Sequence, residues 1–286
     1  MATPSPIMLK WWIALELSKL RESAGIGRQQ VADHLQCALS TVRHIEIGRN
    51  LPRPLELREM LSLYGVPERV AQFNELLSSA KKGRDWFGAF AGAAPAWFDL
   101  FLGLESSAAQ IESYDALVVP GLFQTAAYAE AVIRASGPEL SDAEVSRRIE
   151  LRLARQDVLT HVSRPTTVWS VLDESALYRS ISDTDAMREQ LTHLINLAQL
   201  PTVTIQVLPM EAGPHVGING TFIMFDFPDL TGNPAVAYTD GMITGSYYEQ
   251  PDQLRSYRNA LTRLQIAAAK PAESVAMITR RAEELS

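Results

Sequence analysis

Apolar residues in the first 80 positions recur at helical spacing and are interrupted by glycines and prolines. The first run is Leu9, Ile13, Leu17, Leu20 and Ala24. Intervals of three and four residues place these side chains on one face of an α-helix. Shorter runs follow at 31–35, 42–45 and 57–64, and another begins at Pro67. The pattern predicts about five short helices in residues 1–82.

The second and third predicted helices have the spacing of two helices that cross at a tight turn. Ala32 supplies the small side chain that such a crossing needs, and Gln36 occupies the turn. Val42, with Ile45 one turn later, would fill the angle between the helices. This core leaves one face of the third helix free to present side chains to base edges in the major groove. The candidate base-contacting residues are Leu39, Ser40, Thr41, Arg43 and His44.

Polar residues flank the third helix on both sides and are candidates for contacts with DNA phosphates. Guanidinium and amide side chains commonly donate hydrogen bonds to phosphate oxygens. The candidate phosphate-contacting residues are Arg28, Gln29, Arg49 and Asn50.

Residues 13–70 resemble the DNA-binding domains of Xre-type (phage-repressor-like) regulators, above all in GIGRQQVADHLQCALSTVRHIEIGRNLP. The resemblance implies binding to double-stranded DNA. Members of that group usually carry a hydroxyl residue at the start of both central helices and Gly in the turn, where this chain has Gly27, Ala38 and Gln36. A missing cap costs about 1 kcal/mol, and a left-handed non-glycine residue costs about 1–2 kcal/mol. A helical bundle that acts only as a protein-interaction module is therefore the alternative.

From residue 84 the pattern changes to strand-like stretches that alternate with amphipathic helices. Strands are predicted before Pro120, at 165–173 and 201–209, after the glycine-rich turn at 213–220, and at 234–240 and 245–250. Helices are predicted from about Pro95 and at 124–135, 141–160, 183–199, 251–268 and 271–284. We therefore expect an all-α helix-turn-helix head followed by a larger α+β domain with a mixed sheet of about five or six strands.

The second part of the chain resembles the domain of unknown function that follows an Xre-type head in many actinobacterial regulators, the WhiJ-like group. The phrases that carry this resemblance include ESYDALVVPGLFQTAAYAEAVI, LAQLPTVTIQVLP and GPHVGINGTFIMFDFPD. It extends over nearly all of residues 84–286. It implies a transcriptional regulator, often encoded beside a small partner protein and sometimes described as antitoxin-like.

Charge is distributed unevenly along the chain. Residues 1–82 carry a formal charge of +3 and the remainder −10, out of a total of −7. A basic head on an acidic body fits nucleic-acid contact confined to the head, because phosphate attraction is local. We predict a DNA-binding domain at 1–82 and a regulatory, partner-binding and dimerising domain at 83–286. The start has no signal-peptide cleavage site and no apolar run is long enough to span a membrane, so we expect a cytoplasmic protein without membrane contact.

Three features of the body are candidate sites for a ligand or a partner. The glycines of GPHVGING would let the backbone approach a bound group, VPGLFQT could place polar side chains at a helix N-terminus, and paired tyrosines could form an apolar patch. A hairpin loop and helix capping are the simpler alternatives for the first two. The aromatic residues of 86–101 are a further candidate patch. The candidate residues are Gln124, Thr125, His215, Asn219, Tyr247 and Tyr248.

Catalytic chemistry has little support in the sequence. The histidines stand at 34, 44, 161, 193 and 215, with no carboxylate or second histidine at metal-ligand spacing. The chain contains no nucleophile elbow, phosphate-binding loop or dinucleotide fingerprint. We therefore expect no enzyme activity, no metal and no cofactor, and we expect the single cysteine, Cys37, to be a bystander thiol.

These observations predict a sequence-specific transcriptional regulator that binds a palindromic operator as a homodimer. Its C-terminal domain would bind a small protein encoded nearby. The alternatives are a small-molecule sensor with a pocket between sheet and helices, and a degenerate helix-turn-helix that binds only proteins.

Overall fold

The computed structural model describes residues 4–160, 165–180, 183–228, 230 and 232–285. These residues form two compact units. The head unit contains the described residues up to 89 together with 99–107, and the body unit contains those of 90–98 and from 108 onward. The predicted functional division at residue 82 stays a prediction. His161 lies outside the described residues.

The head unit is entirely helical, as predicted. Its helices are α1 (Pro6–Ser23), α2 (Arg28–His34), α3 (Leu39–Glu46), α4 (Pro54–Leu63), α5 (Val70–Lys82) and α6 (Asp99–Ser107). Proline stands in the first turn of α1 and α4, where its fixed φ favours the helix and its missing N–H leaves no donor unpaired. Pro67 begins a short 3-10 helix directly before α5. The buried apolar residues of the first run are Leu9, Ile13 and Leu17, and Met8 and Trp12 join them.

Helix α6 packs against α1 within the head unit. Gly103 makes this close approach possible, because a Cβ there would lie 2.3 Å from Cγ2 of Ile7. At the end of the same helix, the Ser107 hydroxyl accepts a hydrogen bond of 2.8 Å from the backbone N–H of Ser5. The sequence pattern assigned α6 to the second part of the chain. Its contact with α1 joins segments that are far apart in sequence, so no local pattern of residues predicts it.

The body unit contains a mixed sheet of six strands, as the strand pattern predicted. The strands are β1 (Gln110–Asp115), β2 (Thr167–Asp173), β3 (Val203–Leu208), β4 (Phe222–Asp226), β5 (Ala235–Thr239) and β6 (Ser246–Tyr248). Their order is β3-β2-β1-β4-β5-β6. The pairs β1–β2 and β2–β3 are parallel, and β1–β4, β4–β5 and β5–β6 are antiparallel.

Helices cover the sheet and connect its strands. They are α7 (Ala126–Ser136), α8 (Asp142–Arg155), α9 (Asp157–Thr160), α10 (Ser175–Tyr178), α11 (Thr184–Leu197), α12 (Pro251–Ala267) and α13 (Pro271–Glu283). On one face of the sheet, Tyr114 and Met224 pack with Leu261 and Leu264 of α12. Because strand side chains alternate between faces, Ser113 and Asp115 of β1 point to the opposite face.

Candidate functional site

Helix α2 ends in a Schellman motif, which forms the turn to α3. The N–H of Cys37 donates to the carbonyl of Ala32 at 3.0 Å, and that of Gln36 donates to the carbonyl of Asp33 at 3.2 Å. Gln36 has φ 52°, the left-handed conformation that glycine normally occupies. Gln36 therefore adopts the strained left-handed conformation that the sequence predicted for the turn.

Helix α3 ends in the same motif, this time with glycine. Gly48 has φ 68°, and its N–H donates to the carbonyl of Ile45 at 3.1 Å. The backbone N–H groups of Arg49 and Asn50 donate to the carbonyl of His44 at 2.9 and 3.1 Å. Two of the four candidate phosphate-contacting residues, Arg49 and Asn50, are thereby held at the C-terminal end of α3.

The packing beneath α3 determines which of its side chains face outward. Ala32, Val42 and Ile45 are buried, and α2 packs against α3. On the outward side, Ser40 and Arg43 are exposed. Leu39 is also exposed, whereas Thr41 and His44 are half-buried. The face thus presents one guanidinium, hydroxyl groups and an apolar side chain, which are groups that can read base edges.

A buried carboxylate fixes α3 to the two helices before it. Both oxygens of Glu46 accept hydrogen bonds from Arg21, from Nε at 2.5 Å and from Nη2 at 3.1 Å. Arg28 donates its Nε to the same carboxylate at 2.6 Å. Arg21 also donates to the carbonyl of Ile26 in the turn after α1, at 2.9 Å. Glu46 therefore links α1, α2 and α3 through charge-assisted bonds.

The candidate phosphate-contacting side chains differ in how far they are already engaged. Arg28 shares Glu46 with Arg21, although its side chain is exposed. Gln29 donates to Asp33 at 2.8 Å along α2. Arg49 lies with Nη1 3.4 Å from Nε2 of His44 and is exposed. Arg49 consequently extends the cationic surface at the end of α3.

The helix starts lack the side-chain caps that the motif usually has. Gly27 and Ala38 occupy the N-cap positions of α2 and α3, and neither provides a side-chain hydrogen bond. At α2 the Oε1 of Gln30 accepts from the N–H of Gly27 at 2.7 Å, which satisfies one of the free donors there. The start of α3 has extended backbone at Ala38 (φ −70°, ψ 145°), the geometry in which a hydroxyl would cap.

In the body unit, Gln124 and Thr125 lie at the start of α7 and are buried. The Thr125 hydroxyl accepts from the N–H of Tyr128 at 3.4 Å, so this residue is the N-cap. Gln124 donates Nε2 to the carbonyl of Val119 at 2.6 Å, and its Oε1 accepts from Arg152 at 2.6 Å. The helix start is capped by the chain itself, in line with the simpler alternative.

The two candidate residues of the glycine-rich loop, His215 and Asn219, have different surroundings. His215 lies 3.7 Å from Asp173, measured from Nε2 to Oδ2, and Nδ1 accepts from the N–H of Gly217 at 3.2 Å. Tyr114 also donates its hydroxyl to Asp173, at 3.1 Å. Asn219, by contrast, is exposed and lines a surface pocket. The loop forms a short 3-10 helix, Val216–Asn219, rather than a simple hairpin turn.

Tyr247 and Tyr248 point to opposite faces of the sheet, because neighbouring residues of a strand alternate, and their part in binding a ligand or a partner stays a prediction. Tyr247 packs on Tyr238 with ring centroids 5.2 Å apart, and Tyr248 packs on Tyr257 of α12 at 5.2 Å. In the aromatic run 86–101, Phe87 and Phe101 are buried, and Trp86 is 37% exposed.

Within the described residues, no group of three or more His, Cys, Asp and Glu side chains could hold a metal ion. None of the described helices is long and apolar enough to cross a membrane. Cys37 is a free, half-buried cysteine, and burial raises the pKa of its thiol. A raised pKa disfavours the reactive thiolate.

The Arg21–Glu46–Arg28 cluster was missed in the sequence, although its signal was present. Arg21 stands four residues after Leu17 and Glu46 four residues after Val42, so each continues an apolar helix face. Opposite charges at two such positions indicate a buried ion pair.

Comparison with known proteins identifies both parts of the chain. Residues 12–73 match the family of helix-turn-helix domains, which indicates a DNA-binding regulator. Residues 98–280 match the family described as Domain of unknown function (DUF5753). No curated protein and no solved structure matches the chain significantly. Because the second match covers more than half of the chain, the protein belongs to the DUF5753 family, here with a helix-turn-helix domain in front.

Proposed function

We propose that the protein is a sequence-specific transcriptional regulator of the Xre type, of the WhiJ-like, antitoxin-like group, that inserts α3 into the major groove. The observation that carries this proposal is the outward face of α3. Arg43 and Ser40 are exposed there, while the other side of the helix is fixed by Val42 and Ile45 and by the Glu46 carboxylate. A rigid helix with an exposed guanidinium can form the bidentate contact with guanine that is common in specific readout.

The base-contacting set is Leu39, Ser40, Thr41, Arg43 and His44, and the phosphate-contacting set is Arg28, Gln29, Arg49 and Asn50. Leu39 would contact a thymine methyl group. Arg49, held by its backbone at the end of α3, would contact a phosphate beside the groove.

We further propose that the regulator acts as a homodimer on a palindromic operator. Two-fold symmetry would place two copies of α3 on half-sites about one helical turn apart, or a multiple of that distance. Selection of bound sequences from a randomised DNA library at moderate salt tests this directly. A palindromic consensus is the expected result. Uniform recovery of unrelated sequences would favour the alternative in which the helix-turn-helix contacts only proteins.

The C-terminal domain is proposed to bind a small partner protein. Two apolar side chains in the loop between β5 and β6 support this, because Met242 and Ile243 are almost fully exposed, at 103% and 85%. Ile218, in the 3-10 helix beside β4, is 78% exposed. Exposed apolar groups in close succession are typical of interaction surfaces.

Co-expression with the product of a small neighbouring open reading frame tests the partner proposal. Copurification that is lost in a Met242→Asp/Ile243→Asp double variant is the expected result. The matched control is Ile266→Asp on α12, another exposed apolar residue, which should retain the partner. Copurification that survives the double variant would place the partner elsewhere or show that the association is non-specific.

A further inference from the structure

Arg28, the first residue of α2, uses only one edge of its guanidinium group within the protein. Its Nε donates to Oε2 of Glu46 at 2.6 Å. In the described part of the chain, Glu46 is the one residue that bonds or pairs with the Arg28 side chain. The N–H donors of a guanidinium group form a planar fork, so both terminal amino groups of Arg28 remain free to donate. The side chain is 46% exposed, which leaves these donors accessible to a ligand.

The carboxylate of Glu46 holds Arg28 from a fixed position. The Glu46 side chain is 1% exposed, and Arg21 donates to both of its oxygens, from Nε to Oε1 at 2.5 Å and from Nη2 to Oε2 at 3.1 Å. Such a bidentate pair restricts the rotation of a carboxylate. Because Oε2 accepts from Arg21 and Arg28 together, the orientation of the carboxylate also determines the orientation of the Arg28 guanidinium.

The positive charge of Arg28 is only partly offset by the residues around it. Glu46 shares its single negative charge between two guanidinium groups, those of Arg21 and Arg28. The other acidic partner in the cluster, Glu22, pairs with Arg21. Arg28 is therefore able to attract a further anion, and its planar fork matches two oxygens of a phosphate group.

The position of Arg28 in the fold places this guanidinium where a DNA phosphate would lie. In helix-turn-helix complexes the recognition helix enters the major groove, and the helix before it crosses the sugar-phosphate backbone. Arg28 begins that preceding helix, whereas Glu46 is the last residue of α3. The carboxylate that fixes the proposed recognition helix thus also fixes a guanidinium beside the backbone.

We propose that Glu46 is a positioning residue for DNA binding, which holds Arg28 through its Nε so that both terminal amino groups bind one phosphate of the DNA backbone. Glu46 itself does not touch the DNA. The inference rests on the proposed DNA-binding function and adds to it how the phosphate contact is oriented. It also links the backbone contact on α2 to the placement of α3 in the groove.

Fluorescence anisotropy of the full-length protein with a duplex of unrelated sequence tests the role of Arg28, because phosphate contacts form on any sequence. Arg28→Ala should weaken binding by about tenfold. Arg28→Lys keeps the charge but lacks the planar fork, and should still weaken binding by about threefold or more. Both variants leave the Arg21–Glu46 pair in place. Arg188→Lys, the same substitution on α11 of the body unit, should leave the affinity unchanged.

The sign of a second change tests the role of Glu46. Glu46→Gln removes a negative charge from the head unit, and charge alone would strengthen DNA binding. A positioning role predicts the opposite, a weakening of about threefold or more that disappears when Arg28 is already Ala. Glu22→Gln removes a carboxylate that pairs with Arg21 instead, and it should not weaken binding. Thermal melting gives a temperature at which every variant is folded for these comparisons.

Two results would overturn the proposal. Binding by Arg28→Lys that equals binding by the natural protein would show that Arg28 acts only as a charge. Tighter binding by Glu46→Gln, or an equal weakening with and without Arg28, would show that Glu46 does not act through Arg28. The preference of the natural protein for its selected operator over the unrelated duplex is measured in the same assay. Loss of that preference alone contradicts the proposed sequence-specific function and not the role of Glu46.

Discussion

Arg21 in the last turn of α1 and Glu46 at the end of α3 form a buried, bidentate ion pair. The side chain of Glu46 is 1% exposed and that of Arg21 is 8% exposed. The pair joins the first helix of the head unit to the helix proposed to read DNA. The position of α3 therefore depends on a charge pair beneath it as well as on apolar packing.

Replacement of Glu46 by Gln should destabilise the head unit by up to about 3–5 kcal/mol, because the buried Arg21 would keep only the exposed Glu22 as a counter-charge. Chemical denaturation of the full-length protein measures this loss. Glu22→Gln is the matched control, since Glu22 also pairs with Arg21, at 3.1 Å, but is 61% exposed. An exposed pair contributes about 0–1 kcal/mol. Equal losses in the two variants would contradict the structural role assigned to Glu46.

Replacement of Gln36 by Gly should stabilise the head unit. Gln36 has φ 52°, a conformation that costs a non-glycine residue about 1–2 kcal/mol. Part of this gain is offset by the greater freedom of glycine in the unfolded chain, which leaves a net gain of up to about 1 kcal/mol. Thermal or chemical unfolding gives the value. Gln29→Gly, in the first turn of α2, should instead cost up to about 1 kcal/mol, and a loss at both positions would show that the turn is not strained.

Two of the three departures from the usual motif illustrate what could be predicted from the sequence, because they depend on local backbone geometry. Gln36 adopts the left-handed conformation, and Ala38 begins α3 without a side-chain cap. The pairing of Arg21 with Glu46 joins residues 25 positions apart and depends on how helices cross. The helical periodicity of apolar residues shows that Arg21 and Glu46 each lie on a buried helix face. That the two residues face one another is seen only in the folded structure.

Most strands and helices of the body were also predictable, because alternation and helical periodicity are local patterns. The order of the strands was not, since the pairing of β1 with β4 joins distant segments. The sequence also left open which way Tyr247 and Tyr248 point. Their strand assignment was right, but consecutive strand residues point to opposite faces.

Asp115 of β1 makes the stability of the body unit depend on pH. It is buried, and desolvation raises its pKa to about 6 despite hydrogen bonds from Ser113 and Ser170. The folded state therefore binds the proton more tightly than the unfolded state, whose pKa is near 3.8. The protonated carboxyl group of Asp115 therefore stabilises the folded state fully below the unfolded-state pKa of 3.8, and this contribution is lost as the pH rises through about 6.

Asp115→Asn should remove this dependence. Relative to the natural protein, the variant should gain stability as the pH rises from about 4 to about 7.5, by up to about 3 kcal/mol. Denaturant titrations at several pH values measure the difference, with the exposed Asp185→Asn as control. A constant difference between variant and natural protein across this range would contradict the buried-carboxylate assignment.

Arg49 is expected to contact a phosphate and not a base. Arg49→Ala should weaken binding to all DNA sequences by a similar factor and reduce the slope of log affinity against log salt by about 1. Fluorescence anisotropy at several salt concentrations gives both quantities. Loss of affinity at a single base-pair position, with an unchanged salt slope, would assign Arg49 to base readout instead.

The central claim is that α3 reads DNA sequence through Arg43. Its most direct test is the affinity of the natural protein and of Arg43→Ala for the selected operator and for each single base-pair change within it. Arg188→Ala, which removes an exposed arginine from α11, is the charge-matched control. We predict that Arg43→Ala loses about 1–3 kcal/mol of discrimination at one position of each half-site and that the control loses none. Uniform weakening across all sequences, or unchanged affinity, would contradict the claim.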